Sequence, residues 1–236
     1  MLLAFSRLVE TPLVTTIHGF SSERIVPVFK RYQDRVSYVA ISDSDRHPEL
    51  PYAATIHHGI ALDEFPLDPV GGEDLLFFGR IHPDKGAAEA IEVARRAGRR
   101  LVMAGIVQDQ GYHERQVAPA IDGRRVIYNG PVAGNARART LGSARALLHL
   151  INFDELFGLA VIEAMACGTP VIACDRGSMP ELIDHGVTGF LIDSLDGAVE
   201  AIARIDEIDR AACRAARFTV DHMADRYLSL YRKLIG

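Results

Sequence analysis

The chain is predicted to fold as an α/β protein built on a doubly wound parallel sheet, and three observations carry that prediction. From Asp74 onward, short strand-like and helix-like segments alternate. The strand-like segments are unbroken apolar runs, the pattern of strands covered on both faces. They end on Gly79-Arg80, Gly105, Gly130 and the loop 152–155, and ligands of such sheets sit outside the carboxyl ends of the strands.

The first 60 residues carry a shorter series of the same kind. Leu13–Ile17 reads as a strand ending at His18, residues 22–32 as a helix, residues 38–41 as a strand, and residues 55–57 as a strand ending at His58-Gly59. This is too little to close a core of its own. Residues 61–73, ALDEFPLDPVGGE, are rich in Pro, Gly and acids and read as a linker. Leu75–Phe78 is the next strand. Pro83 opens a helix in which apolar residues recur through Ala87, Ile91, Val93 and Ala94 up to Gly98. Leu101–Ala104 is a strand, 112–121 a helix limited by Pro119, Val126–Tyr128 a strand and 136–144 a helix. Residues 146–151 form a strand feeding a helix over 157–166. Then come strands at Val171–Cys174 and 190–192 and a helix over 198–205. Residues 219–234 carry an amphipathic helix with Met223, Tyr227, Leu230, Tyr231 and Leu234 on one side. The resulting division is 1–60, linker 61–73, the main domain 74–218, and a helix over 219–236 that packs back toward the N-terminal part.

Bulk composition narrows the function. With 26 Lys plus Arg against 31 Asp plus Glu, the net charge is -5, which argues against a nucleic-acid binder driven by phosphate contacts. Three cysteines without metal-type spacing suggest free thiols in a reducing compartment. No apolar run reaches 18 residues, so no transmembrane segment is expected. The apolar start Met1 to Phe5 is interrupted by Arg7 and Glu10 before a signal-peptide core could form, so a cytoplasmic location is expected. No His, Asp or Glu cluster has ligand spacing, and no metal site is expected.

The segment FDELFGLAVIEAMACGTPVIAC, 153–174, is the most informative. It places Glu155 in a loop before a helix and Glu163 about two turns inside it. A helix N-terminus offers unpaired N–H groups and partial positive charge, which suits a phosphate. Carboxylates beside such a site can accept hydrogen bonds from the hydroxyls of a sugar or a ribose. Glu163 lies among Val161, Ile162, Ala164 and Met165, where an unpaired charge is costly, so it needs a partner, a ribose diol being one candidate. Gly79 and Arg80, with Lys85 and Gly86, bracket a second strand-to-helix turn, where Gly79 admits close approach of a ligand and two cations suit a diphosphate. His18 ends a strand and reads as a structural donor or a site residue.

The run from Glu155 to Ala173 resembles the signature of retaining glycosyltransferases of family 4, glycosyl transferases group 1. Gly79-Arg80 with Lys85-Gly86 looks like that family's phosphate-binding turn, and Gly177 to Glu181 and Gly186 to Leu191 match its later segments. The resemblance covers roughly residues 11 to 235. It implies a GT-B-like fold of two Rossmann-like domains, here with a partial N-terminal one. It implies that Arg80 and Lys85 hold the diphosphate of a UDP-, GDP- or ADP-sugar and that Glu163 binds the ribose. Glu155 would face the sugar and stabilise charge at the anomeric carbon, and His18 would stand near that sugar as a second catalytic residue. Backbone N–H groups of Phe157, Gly158 and Leu159 would contact sugar and phosphate. No cofactor or metal is implied, and the acceptor is left unknown. Ala160 stands where Pro is frequent and His58 where Asn is frequent. The family's early strands and its glycine-rich loop are expected to be missing ahead of Leu13, with a homo-oligomer or a partner chain completing that half. Two other readings remain: a non-catalytic or partner-dependent nucleotide-sugar-binding module, and a sugar-nucleotide epimerase of the same architecture.

Overall fold

The computed structural model describes residues 2–214 and 216–236; expectations that touch Met1 and Ala215 lie outside the described residues. They form two parallel sheets in two compact units, one of Met1–Ile60 with Arg217–Gly236 and the other of Ala61–Ala216.

The smaller unit holds β1 (Leu13–Ile17), α1 (Val26–Tyr32), β2 (Val36–Ala40) and β3 (Tyr52–Thr55), with the strands parallel in the order β1-β2-β3. The helix predicted over 22–32 starts only at Val26. Pro27 sits in its first turn, where a missing N–H costs nothing. The strand predicted at 55–57 lies earlier, at Tyr52–Thr55, because pairing with β2 fixes its register and leaves His57 and His58 beyond its end. The C-terminal helix Val220–Ile235 is capped by Thr219, whose hydroxyl accepts from the His222 N–H at 3.0 Å. Its apolar stripe Met223, Tyr227, Leu230 and Leu234 packs on Val14, Val39, Ala54 and Ile56. The Tyr227 hydroxyl meets the Thr16 hydroxyl at 2.7 Å.

The larger unit runs β4 (Leu75–Phe78), α2 (Ala87–Arg96), β5 (Leu101–Ala104), α3 (Gln110–Tyr112), β6 (Val126–Tyr128), α4 (Asn135–Gly142) and β7 (Ala146–His149). It continues with α5 (Leu159–Ala166), β8 (Val171–Cys174), α6 (Met179–Leu182), β9 (Gly189–Ile192), α7 (Leu195–Ala203) and α8 (Arg210–Cys213). The strands are all parallel, in the order β6-β5-β4-β7-β8-β9. The chain works outward from β4 to β6, then returns beside β4 and works outward to β9. The crevice between β4 and β7 is therefore the switch point where such sheets bind ligands. Alternate residues of β4 serve opposite faces. Leu75 and Phe77 join the core formed with α2 and α7, while Leu76 is equally buried outside that cluster. Each fully buried Leu or Phe contributes about 1.5–3 kcal/mol.

Two stretches differ from expectation. The helix predicted over 112–121 is broken into α3, a π turn at His113–Val117 and a 3-10 turn at Ala118–Ala120, since Pro119 cannot donate in a continuous helix. Residues 61–73, read as a linker, are fastened to the larger unit. Phe65 is buried, the Asp68 N–H donates to the Cys167 carbonyl at 2.9 Å, and Arg210 and Arg214 donate to the carbonyls of Asp68, Phe65 and Leu62. No helix among the described residues is long and apolar enough to cross a membrane.

Candidate functional site

At the switch point, a turn after β4 meets a loop after β7. Pro83–Lys85 forms a single 3-10 turn, with the His82 Nδ1 accepting from the Asp84 N–H at 3.2 Å and Gly86 turning left-handed into α2. Asn152 ties the two segments together: its N–H donates to the Asp84 carbonyl at 3.1 Å, and its side chain donates to the Pro83 carbonyl at 3.2 Å. Lys85 thereby reaches across to Glu155, and the two form an ion pair. Their side chains are only 15% and 17% exposed, so water screens the pair weakly. The Lys85 ammonium also lies 4.6 Å from the Phe153 ring centroid.

His149, the last residue of β7, stands behind this pair. It is buried, its Nε2 lies 3.9 Å from Glu155 Oε2, and that nitrogen has no hydrogen-bond partner among the described residues. Burial, and then the neighbouring Lys85 charge, push the imidazole down to about 3, so it is neutral at physiological pH.

The loop carrying Glu155 is braced from the loop between β8 and α6. The Ser178 N–H donates to the Glu155 carbonyl at 3.0 Å and its hydroxyl to the Phe157 carbonyl at 2.6 Å. Gly177 has φ +55°, and a Cβ there would stand 2.6 Å from the Glu155 amide nitrogen. Gly158, at φ +99°, ends the loop as the residue before α5, and a Cβ on it would press to 2.8 Å from Met179 Cε. The predicted helix start at Phe157 thus moves to Leu159, because the left-handed Gly158 cannot continue a helix backward. No side chain caps α5 and no acid stands in its first turn, so its N-terminal dipole faces the switch point unopposed. Phe157 is buried and Leu159 is exposed.

Glu163 lies in the second turn of α5 and is 6% exposed. Its partner within the protein is one that sequence reading missed. Arg137 of α4 donates from Nε to Glu163 Oε2 at 2.8 Å and from Nη2 to the same oxygen. The guanidinium also stands over the Phe78 ring at 5.5 Å. Burial pushes the Glu163 carboxyl upward, and Arg137 opposes that rise.

Of the remaining predicted residues, Arg80 is exposed and donates to Gln108. A Cβ on Gly79 would meet Phe77 Cζ at an ordinary 3.8 Å. The close approach is made instead by Gly105, whose Cβ would collide with the Gly79 carbonyl. His18 lies in the smaller unit, stacked on His58 with centroids 5.1 Å apart and planes 12° from parallel. Among the described residues, no group of three or more His, Cys, Asp or Glu is placed to hold a metal ion.

Comparison with known proteins bears on this arrangement. The family model described as Glycosyl transferases group 1 matches residues 63–216. D-inositol 3-phosphate glycosyltransferase of Mycolicibacterium paratuberculosis (strain ATCC BAA-968 / K-10) is 31% identical over 221 residues, covering 81% of this chain and 50% of that protein. The same-named protein of Mycobacterium leprae (strain Br4923) is 30% identical over 208 residues, covering 76% and 49%. The chain spans about half the length of the curated relatives it matches. Among solved structures, AviGT4, a glycosyltransferase involved in avilamycin A biosynthesis, matches at 30% identity and TM-score 0.66 over 84% of this chain and 63% of that one. Anabaena Alr3699/HepE, in complex with UDP and glucose, matches at 19% identity and TM-score 0.80 over 98% and 74%, a likeness of fold.

Proposed function

The chain belongs to the glycosyl transferases group 1 family, with a GT-B-like α/β fold, and on that premise we propose that it takes a nucleotide sugar as donor and transfers the sugar, with retention at the anomeric carbon, to an unidentified acceptor. One observation carries this reading. Lys85, Glu155 and the uncapped start of α5 meet at the switch point of the larger unit's sheet. A cation, a carboxylate and a helix N-terminus without a side-chain cap suit a diphosphate joined to a hydroxyl-rich group.

In this reading the donor diphosphate lies against the α5 N-terminus, with Lys85 and Arg80 as its cations. Glu163 accepts from the ribose hydroxyls through Oε1, since Arg137 occupies only Oε2. Glu155 accepts from the sugar hydroxyls and stabilises positive charge at the anomeric carbon as the bond to the diphosphate oxygen breaks. The acceptor oxygen bonds to that carbon from the same face, and its proton passes to the departing diphosphate. Negative charge building on the leaving group falls where the helix dipole and Lys85 already point, an electrostatic contribution that needs no rearrangement at the moment of reaction.

The testing experiment is a thermal-shift and calorimetric screen of the chain against UDP, GDP, ADP and their sugar conjugates. UDP conjugates come first, because the HepE structure contains UDP and glucose. Selective stabilisation by one nucleotide and its conjugates is the expected result. Binding of none of them would defeat the donor assignment.

A further inference from the structure

Glu155 has its counter-charge from Lys85, and that is the cation a diphosphate would claim. Both side chains are mostly buried. Withdrawing the ammonium would leave a carboxylate in poorly solvated surroundings with no donor, a costly state. The charged and titratable groups set against this carboxylate are Lys85, from the turn after β4, and His149, from the end of β7. His149 is the odd residue of β7, the one polar side chain in the run Ala146-Leu147-Leu148-His149. Its Nε2 is buried without a hydrogen-bond partner among the described residues, and 3.9 Å separates it from Glu155 Oε2. Shortening that gap by about 1 Å gives an ordinary N–H···O hydrogen bond.

We propose that His149 is a positioning residue: when a diphosphate takes Lys85, Glu155 exchanges its ion pair with Lys85 for a hydrogen bond from His149 Nε2–H, and so keeps its place facing the sugar. This deepens the donor reading above and rests on it. A neutral imidazole suits the task. It donates without adding a second positive charge beside Lys85, and the backbone of a central strand fixes its position. The exchange also gives the donor site a cost in the empty state, since Lys85 must leave both Glu155 and the Phe153 ring.

The first arm of the test needs no ligand. In Lys85→Met the ammonium is gone permanently, and the expected result by NMR is a downfield, slowly exchanging His149 Nε2–H proton that disappears in Lys85→Met/Glu155→Gln. Its absence from Lys85→Met overturns the proposal. The second arm titrates inorganic pyrophosphate into the wild-type chain. The same proton resonance should appear on saturation, and pyrophosphate bound without it overturns the proposal. His149→Leu, which keeps the volume but not the donor, should bind pyrophosphate on the order of tenfold more weakly. His149→Gln should recover most of the loss, and equal affinity in all three chains overturns the proposal. A wild-type chain that binds no pyrophosphate defeats the donor reading and the ligand-driven exchange with it, whereas the Lys85→Met resonance reports the contact by itself.

Discussion

Glu163 and Arg137 show how a single residue pair sets the properties of the site. A carboxylate this deep in an apolar helix is stable only with a counter-charge, and Arg137 supplies it through two nitrogens on one oxygen. Burial raises the Glu163 pKa. For a raised carboxyl, stability is fully present below the unfolded value of about 4.5 and is lost as pH rises through the folded value. Arg137→Met removes the opposing charge, so its cost should grow with pH. Urea denaturation should find it about 2–3 kcal/mol less stable at pH 8, the lower end for a broken pair because Arg137 is 37% exposed, and distinctly less affected at pH 5. Arg137→Met/Glu163→Gln should recover most of the loss. An equal loss at both pH values would show that Arg137 acts by packing alone. The need for a partner was legible in the sequence, because an acid between Ile162 and Ala164 on an apolar helix demands one. Its identity was not, since Arg137 lies 26 residues away on another helix. His149 left a clearer trace, a histidine inside an apolar strand run, and its meaning depends on where Lys85 arrives from.

Among the elements, the strands were the most legible, because burial on both faces writes itself as unbroken apolar runs. Leu75–Phe78, Leu101–Ala104, Val126–Tyr128 and Val171–Cys174 stand at the predicted bounds. Helix starts were less legible, since they depend on backbone turns such as Gly158 and on caps such as Ser194, whose hydroxyl accepts from the Gly197 N–H. The strap at 61–73 was illegible for a stronger reason. Its composition is that of a linker, and what fastens it is a four-residue helix almost 140 residues later. Arg210 of α8 donates to the carbonyls of Asp68 at 2.8 Å, Gly142 at 2.6 Å and Ala144 at 3.0 Å, and to the Thr169 hydroxyl at 3.1 Å. Burial lowers the Arg210 pKa, yet four acceptors surround its guanidinium. Arg210→Met should leave those acceptors unpaired and cost about 2–4 kcal/mol of stability. Arg210→Lys should rescue little of it, because a single ammonium cannot span the fork of acceptors. Hydrogen exchange would check both, with the earliest loss of protection expected at the Asp68 and Thr169 amides. Unchanged protection there would remove the clamp from the account.

At the scale of the whole molecule, two units carry separate cores and opposite responses to acid. In the larger unit, His149 is held down to about 3 by burial and by Lys85. For a histidine with a depressed folded pKa, the unfolded chain takes up the proton first, so stability is present above about 6.5 and is lost as pH falls toward 3. In the smaller unit, Asp45 is buried, with Oδ2 lacking a hydrogen-bond partner among the described residues, and burial pushes it up to about 6. The sign is reversed there. Its contribution is present below the unfolded value of 3.8 and lost as pH rises through 6, so acidification favours the folded unit. Between pH 7 and 5, His149 should cost the larger unit about 2 kcal/mol while Asp45 returns about 1 kcal/mol to the smaller one, from one pKa unit being 1.36 kcal/mol. Glu163, also raised, works against His149 in the larger unit, so each group must be read as a difference between variant and wild type. Hydrogen exchange on β5 in wild type and His149→Leu isolates the first, and on β2 in wild type and Asp45→Asn the second. The expected outcome is a variant-minus-wild-type slope of opposite sign in the two strands: acid gains for His149→Leu at Leu101–Ala104 and acid losses for Asp45→Asn at Val36–Ala40. A flat difference in either strand would mean that its group titrates at its ordinary value in the folded chain. The His149 result matters most, because a histidine that stays neutral at pH 5 is the condition under which Lys85 and Glu155 keep their pairing in the empty site.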